Sequence, residues 1–260
     1  MIDVQQLTKS YSGIPAIEGI SFSIAPGEVL GYLGPNGAGK STTVKILAGL
    51  IEAGGGHIYL DGIDIRRDME AYKRRIGYVP EQCEIYPHLT AFEYMQLVGR
   101  LHDLPERRLA DTACSLLTQF DLRLDMHTPI SCFSKGMRQK VLLAAALIHN
   151  PDILLWDEPL SGLDVTGALM VRDLIRHLSR SGKIILYSSH VLEVVEKICS
   201  RVIILNQGRI AAQGEVSELR RLMELPDLET IFRELVVRTD TEAIAAQIAT
   251  TIGAAAGTNG

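Results

Sequence analysis

The stretch Gly34-Pro35-Asn36-Gly37-Ala38-Gly39-Lys40-Ser41-Thr42 matches the pattern G-x-x-x-x-G-K-[ST] at every fixed position and constrains the fold more than any other segment. Glycines at 34, 37 and 39 let backbone amides turn inward, and a following helix offers its own unpaired amides to an anion. Lys40 supplies an ammonium for terminal phosphates, and the Ser41 hydroxyl is the type of group that holds magnesium. The flanks supply the required context. Residues 27–33 form an apolar run of strand type, and residues 43–50 read as an amphipathic helix. A Gly-rich turn without chemistry is the bland alternative, and it leaves the lysine and the flanks unexplained.

A second stretch carries acids. Ile153-Leu154-Leu155-Trp156-Asp157-Glu158 is an apolar strand ending in two carboxylates, which burial tolerates only if they meet a cation or solvent. Asp157 is the candidate magnesium residue and Glu158 the candidate general base for an attacking water. A helix cap with a chance acidic neighbour is the competing reading. Residues 183–190 form another buried strand with a polar end, where His190 sits. From position alone, a lone histidine there is more often a surface or capping residue. Tyr11 closes the first strand segment and could stack on an adenine ring, although spacing alone favours ordinary packing.

Between these stretches the chain alternates strand and helix patterns. Residues 2–11 and 16–24 read as strands, and residues 57–60 and 63–65 flank Asp61-Gly62 as a hairpin, giving an N-terminal antiparallel sheet. Residues 76–79 form a strand ending at Pro80-Glu81-Gln82. Thr90 and Glu93 form a capping box for a helix to about His102, and a second helix starts near Pro105 with Leu109, Ala113, Leu116, Leu117 and Phe120 as core. Ser134 caps a third helix, so a helical insertion at about 84–150 is expected. Residues 161–164 turn into the next helix, residues 201–205 and 209–212 form a last hairpin, and a short helix follows from about Glu215. From about residue 236 the Ala, Thr and Gly content predicts a flexible tail.

Composition narrows the partners. With 260 residues and 47% hydrophobic content the chain fills a proper core, and a net charge of −5 argues against nucleic-acid binding through a basic surface. Cys83, Cys114, Cys132 and Cys199 lack C-x-x-C spacing, which predicts reduced thiols rather than zinc or disulfides. No apolar run reaches the roughly 20 residues of a membrane span, and no secretion signal opens the chain, so any work at a membrane goes through a partner.

Over about residues 2–235 the chain resembles the nucleotide-binding subunit of ATP-binding cassette (ABC) transporters. Its Walker A is Gly34 to Thr42, its Walker B is Ile153 to Glu158, its D-loop is Ser161-Gly162-Leu163-Asp164 and its switch histidine is His190. Tyr11 matches the family's adenine-stacking aromatic. The resemblance implies an α/β P-loop NTPase with a mixed central sheet, an N-terminal antiparallel β subdomain and an inserted helical subdomain. Residues 1–235 would be the ATPase domain. It also implies ATP and Mg2+ as cofactors, a second copy or a related cassette as partner, and separate transmembrane permease subunits. The protein would sit on the cytoplasmic face of the cell membrane through such a subunit. Each ATP would lie between the Walker A of one cassette and Ser134, Lys135, Gly136 and Asp164 of the other.

Two departures stand out. The usual signature Leu-Ser-Gly-Gly-Gln is replaced by Phe133-Ser134-Lys135-Gly136-Met137, and the Q-loop place after Tyr78-Val79-Pro80 holds Glu81, with Gln82 one later. Either residue stands as the candidate catalytic side chain there, and Gln82 as a candidate metal contact. Both departures resemble two-component exporters, and the short segment after Leu205 points the same way. The runner-up is a non-transport cassette that remodels a nucleic-acid or protein complex. Such relatives usually carry two cassettes or a long coiled coil, and this chain has neither. A phosphotransferase on the same loop leaves the signature and D-loop unexplained.

Overall fold

The computed structural model describes residues 1–223, 225 and 227–236, so the tail expected from about residue 236 lies outside the described residues apart from its first position. Two sheets organise the molecule. The first has the order β2-β1-β4-β5, built from β1 (Ile2–Tyr11), β2 (Ile14–Ile24), β4 (Gly55–Leu60) and β5 (Ile63–Asp64), all antiparallel. The Asp61-Gly62 turn has positive φ at both residues, 52° and 81°, the geometry that matches the twist of a tight hairpin. Its second strand is shorter than the sequence suggests, because Ile65–Arg67 winds into a 3-10 turn capped by Asp64, which accepts a hydrogen bond from the Arg66 amide.

The second sheet contains β3 (Val29–Leu33), β6 (Ile76–Val79), β7 (Ile153–Asp157), β8 (Ile184–Ser188), β9 (Arg201–Asn206) and β10 (Arg209–Glu215), in the order β10-β9-β3-β8-β7-β6. Only the β9–β10 hairpin is antiparallel. Strands β3, β7 and β8 are buried at every position, as expected for parallel strands covered on both faces. Their side chains alternate between two hydrophobic clusters. Leu154, Trp156, Ile185 and Tyr187 pack with the helices, while Ile153, Leu155, Ile184 and Leu186 pack towards the antiparallel sheet.

Helix α1 (Lys40–Leu47) follows the phosphate loop and stops before Gly49, whose φ of 67° suits glycine. A short α2 (Met69–Arg74) precedes β6; it starts at Asp68, which accepts from the Ala71 amide, and the apolar spacing had not revealed it. Helices α3 (Ala91–Leu101), α4 (Glu106–Gln119) and α5 (Lys135–Leu147) stand between β6 and β7. The capping box of α3 is complete, with Thr90 and Glu93 each accepting from the other's amide. Ser134 caps α5 by accepting from the Met137 amide at 3.2 Å. Helices α6 (Val165–Arg180), α7 (Leu192–Ile198), α8 (Val216–Met223) and α9 (Leu228–Val236) complete the described chain. No helix among the described residues is long and apolar enough to cross a membrane.

Candidate active site

Strands β3, β6, β7 and β8 run parallel, so their carboxyl ends share one edge of the sheet, where open α/β folds place ligands. Each end delivers part of the site: β3 the phosphate loop, β6 Glu81, β7 Asp157 and Glu158, and β8 Ser189 and His190. A cavity of about 590 Å3 opens there, lined by Ala16, Asn36, Gly37, Gly39, Lys40, Ser41, Thr42, Glu81, Asp157, Glu158 and His190.

The loop is held from beneath. Thr43 donates its hydroxyl to Gly39 O at 3.0 Å and accepts from the buried Tyr32 hydroxyl at 3.1 Å, fixing the start of α1 to β3. Gly39 has φ 104°, and a Cβ there would come within 2.5 Å of Ala16 O, so no side chain fits. This helix start has no side-chain cap, which leaves its amides free for an anion. Lys40 Nζ donates to Gly34 O at 2.7 Å and to Pro35 O at 3.2 Å, holding its charge at the loop. Gly34, Pro35 and Ala38 shape the loop without lining the cavity.

The acids converge opposite. Asp157 is 2% exposed and pairs with Ser188 in the strand register, while none of the described hydrogen bonds reaches its carboxylate. Ser41 donates to Glu81 Oε2 at 3.4 Å. The charges of Asp157 and Glu81, added to burial as the main cause, push the Tyr78 phenol up to about 12. Ser41, Glu81 and Asp157 are hard oxygen donors, the chemistry that suits Mg2+. No group of three or more His, Cys, Asp and Glu side chains that could hold a metal ion by themselves occurs among the described residues.

Glu158 takes a left-handed backbone, φ 52°, a conformation that costs a non-glycine residue roughly 1–3 kcal/mol. Its amide donates to Ser188 O and its carbonyl accepts from the Ser161 amide, each at 3.0 Å, and these bonds hold the turn. Its carboxylate lies 2.8 Å from His190 Nδ1 and accepts from the Ser189 hydroxyl at 3.4 Å. With the carboxylate accepting, the ring donates from Nδ1 and keeps Nε2 free.

Other sequence candidates lie elsewhere. Gln82 is exposed and outside the cavity lining, so of the two Q-loop candidates the structure brings Glu81 to Ser41. Tyr11 is 48% exposed beside Lys9, whose Nζ is 5.5 Å from the ring centroid, and it does not line the cavity. Ser134, Lys135 and Gly136 form a separate surface. There Lys135 Nζ donates to Ser161 Oγ at 2.7 Å, and Gly136 packs so closely that a Cβ would lie 2.5 Å from Gly162 O. Asp164 caps α6, accepting from the Gly167 amide at 2.7 Å. Sequence reasoning missed Ala16, which no local signal marks, and Gln139, a polar residue inside the apolar pattern of α5 that is completely buried.

Residues 17–161 match the family described as ABC transporter. The chain is 39% identical to the ABC transporter ATP-binding protein NatA of Bacillus subtilis over 86% of this chain and 92% of that protein. It is 35% identical to the linearmycin resistance ATP-binding protein LnrL of the same organism, over 84% and 70% respectively. Among solved structures, it is similar to a dimeric ATP-binding cassette in a post-hydrolysis state bound to ADP and Pi, with a TM-score of 0.76 and 26% identity over 83% of this chain and 98% of that one. The chain belongs to the ABC transporter family, as a cassette that binds and hydrolyses ATP.

Proposed function

We propose that residues 1–235 form a cassette that powers export through separate transmembrane subunits, closing head to tail with a second cassette around two ATP molecules. The separation of Ser134, Lys135 and Gly136 from the cavity carries this reading. The cavity supplies phosphate, magnesium and base contacts, while Ser134, which caps its helix, is exposed and lies outside the cavity lining. Each chain therefore holds two complementary halves of a site, and a partner's Ser134 would complete the shell around the γ-phosphate.

Within that arrangement each residue has a chemical task. The phosphate loop and Lys40 bind and orient the β- and γ-phosphates. Ser41, Asp157 and Glu81 would hold Mg2+, which when bound neutralises charge on the phosphate oxygens. Glu158 accepts the proton of the attacking water, and His190, bonded to it, keeps the carboxylate aimed. Tyr11 offers an aromatic face to the adenine. Positioning and electrostatics, rather than covalent chemistry, supply the acceleration.

The insertion carrying α3 to α5 would pass closure to the membrane subunit, at the cytoplasmic face. Kinship with a resistance protein supports the export direction. Affinity-tagged chain expressed in its native cell should sediment with membranes and be released by alkaline wash, as a peripheral subunit is. Recovery wholly in the soluble fraction contradicts the proposal.

A further inference from the structure

One fully buried amide joins the two loops that carry the acids. Gln139 lies on α5, just past its first turn and close to the Ser134 cap, and it is 0% exposed. Both ends of its side chain are used. Oε1 accepts from the Cys83 thiol at 2.8 Å, and Nε2 donates to Pro159 O at 3.0 Å. Cys83 follows Glu81 by two residues, and Pro159 follows Glu158 directly.

The start of α5 is also tied to the turn after Glu158. Lys135 reaches Ser161, and Gly136 sits against Gly162. Buried polar groups left without partners are costly, so shifting either loop away from α5 is penalised through Gln139. The strained turn at Glu158 is the segment with most to lose, because its left-handed backbone persists only while its surroundings hold it.

We infer that Gln139 is a positioning residue that locks the Glu81 loop and the Glu158 turn to the helix bearing Ser134, so that the catalytic carboxylate is set only when that helix is seated. The inference rests on Glu158 being the base. Gln139 itself bonds to Cys83 and Pro159 and not to the phosphate loop, so ATP binding should change far less than turnover.

The test uses the full purified chain and steady-state ATP hydrolysis. Gln139→Met keeps size and packing while removing both hydrogen bonds; kcat should fall about tenfold with KM for ATP within about twofold of wild type. Cys83→Ala should lower kcat several-fold, whereas Cys83→Ser, which retains a donor, should restore most of the rate. A Gln139→Met kcat within about twofold of wild type, or a kcat loss matched by a rise in KM, overturns the inference. If Gln139→Met does not fold, equal rates for Cys83→Ala and Cys83→Ser overturn it. Glu158→Gln assayed in parallel separates the two claims: turnover near wild type there defeats the base assignment, while the Gln139 effect on kcat is read independently.

Discussion

Lys40 shows how far a single residue can be understood from its neighbours. Its ammonium is bonded to Gly34 O and Pro35 O, so it is already held at the place where phosphate charge would arrive. Charge-assisted hydrogen bonds are worth about 1.5–3 kcal/mol, so Lys40→Ala should weaken ATP binding roughly 10- to 150-fold in an equilibrium titration. Unchanged affinity would contradict the phosphate-loop assignment. Asp157→Asn removes the charge of a buried carboxylate that no described group satisfies. It should abolish the Mg2+ dependence of nucleotide binding while leaving metal-free binding in place. Equal magnesium dependence in the variant and the wild type would remove Asp157 from the metal shell. The phosphate loop and the acids were legible because their chemistry demands fixed residue types at fixed spacing. The choice between Glu81 and Gln82 was not, since a one-residue offset in a loop is decided by backbone path. Lys135 and Asp164 were legible as motif members, yet their described partners, Ser161 and the Gly167 amide, come from tertiary packing and a helix cap.

Elements were legible where local and periodic signals agreed. The capping box of α3, the Asp61-Gly62 hairpin and the all-apolar strands each combine a turn or cap with a hydrophobic pattern. Helices α2 and α7, of six and seven residues, are short, and their pattern is too brief to separate from a loop. Packing between elements creates a property that sequence could not show. His102, at the end of α3, stacks on His149 beyond α5 with ring centroids 3.6 Å apart. His149 donates from Nε2 to Ile76 O at 2.9 Å, leaving a buried Nδ1 without a partner. Burial, and then the charges of His102 and Lys183, lower its pKa from 6.5 to about 4, with the bond to Ile76 opposing; burial and then the charge of Arg74 lower that of His102 as well, against Asp103. Between pH 6.5 and about 4 the unfolded chain therefore binds protons that the folded chain refuses. Stability present above pH 6.5 is lost as pH falls across that window. His149→Gln, which keeps an N–H for Ile76, should show a shallower decline of Tm over it. An identical slope would contradict this account.

At the scale of the whole molecule, the parallel strand ends gather the phosphate loop, the acids and His190 into one cavity, while Ser134 begins a helix outside it. That division is the reason for expecting two chains to complete each site, and Glu158→Gln should expose it by stopping hydrolysis after closure. The most direct measurement is the mass of purified Glu158→Gln protein by light scattering after size exclusion, with and without magnesium-ATP. The account predicts a monomer without nucleotide and a dimer with it. A monomer in both conditions, with ATP shown to be bound, would contradict the composite site.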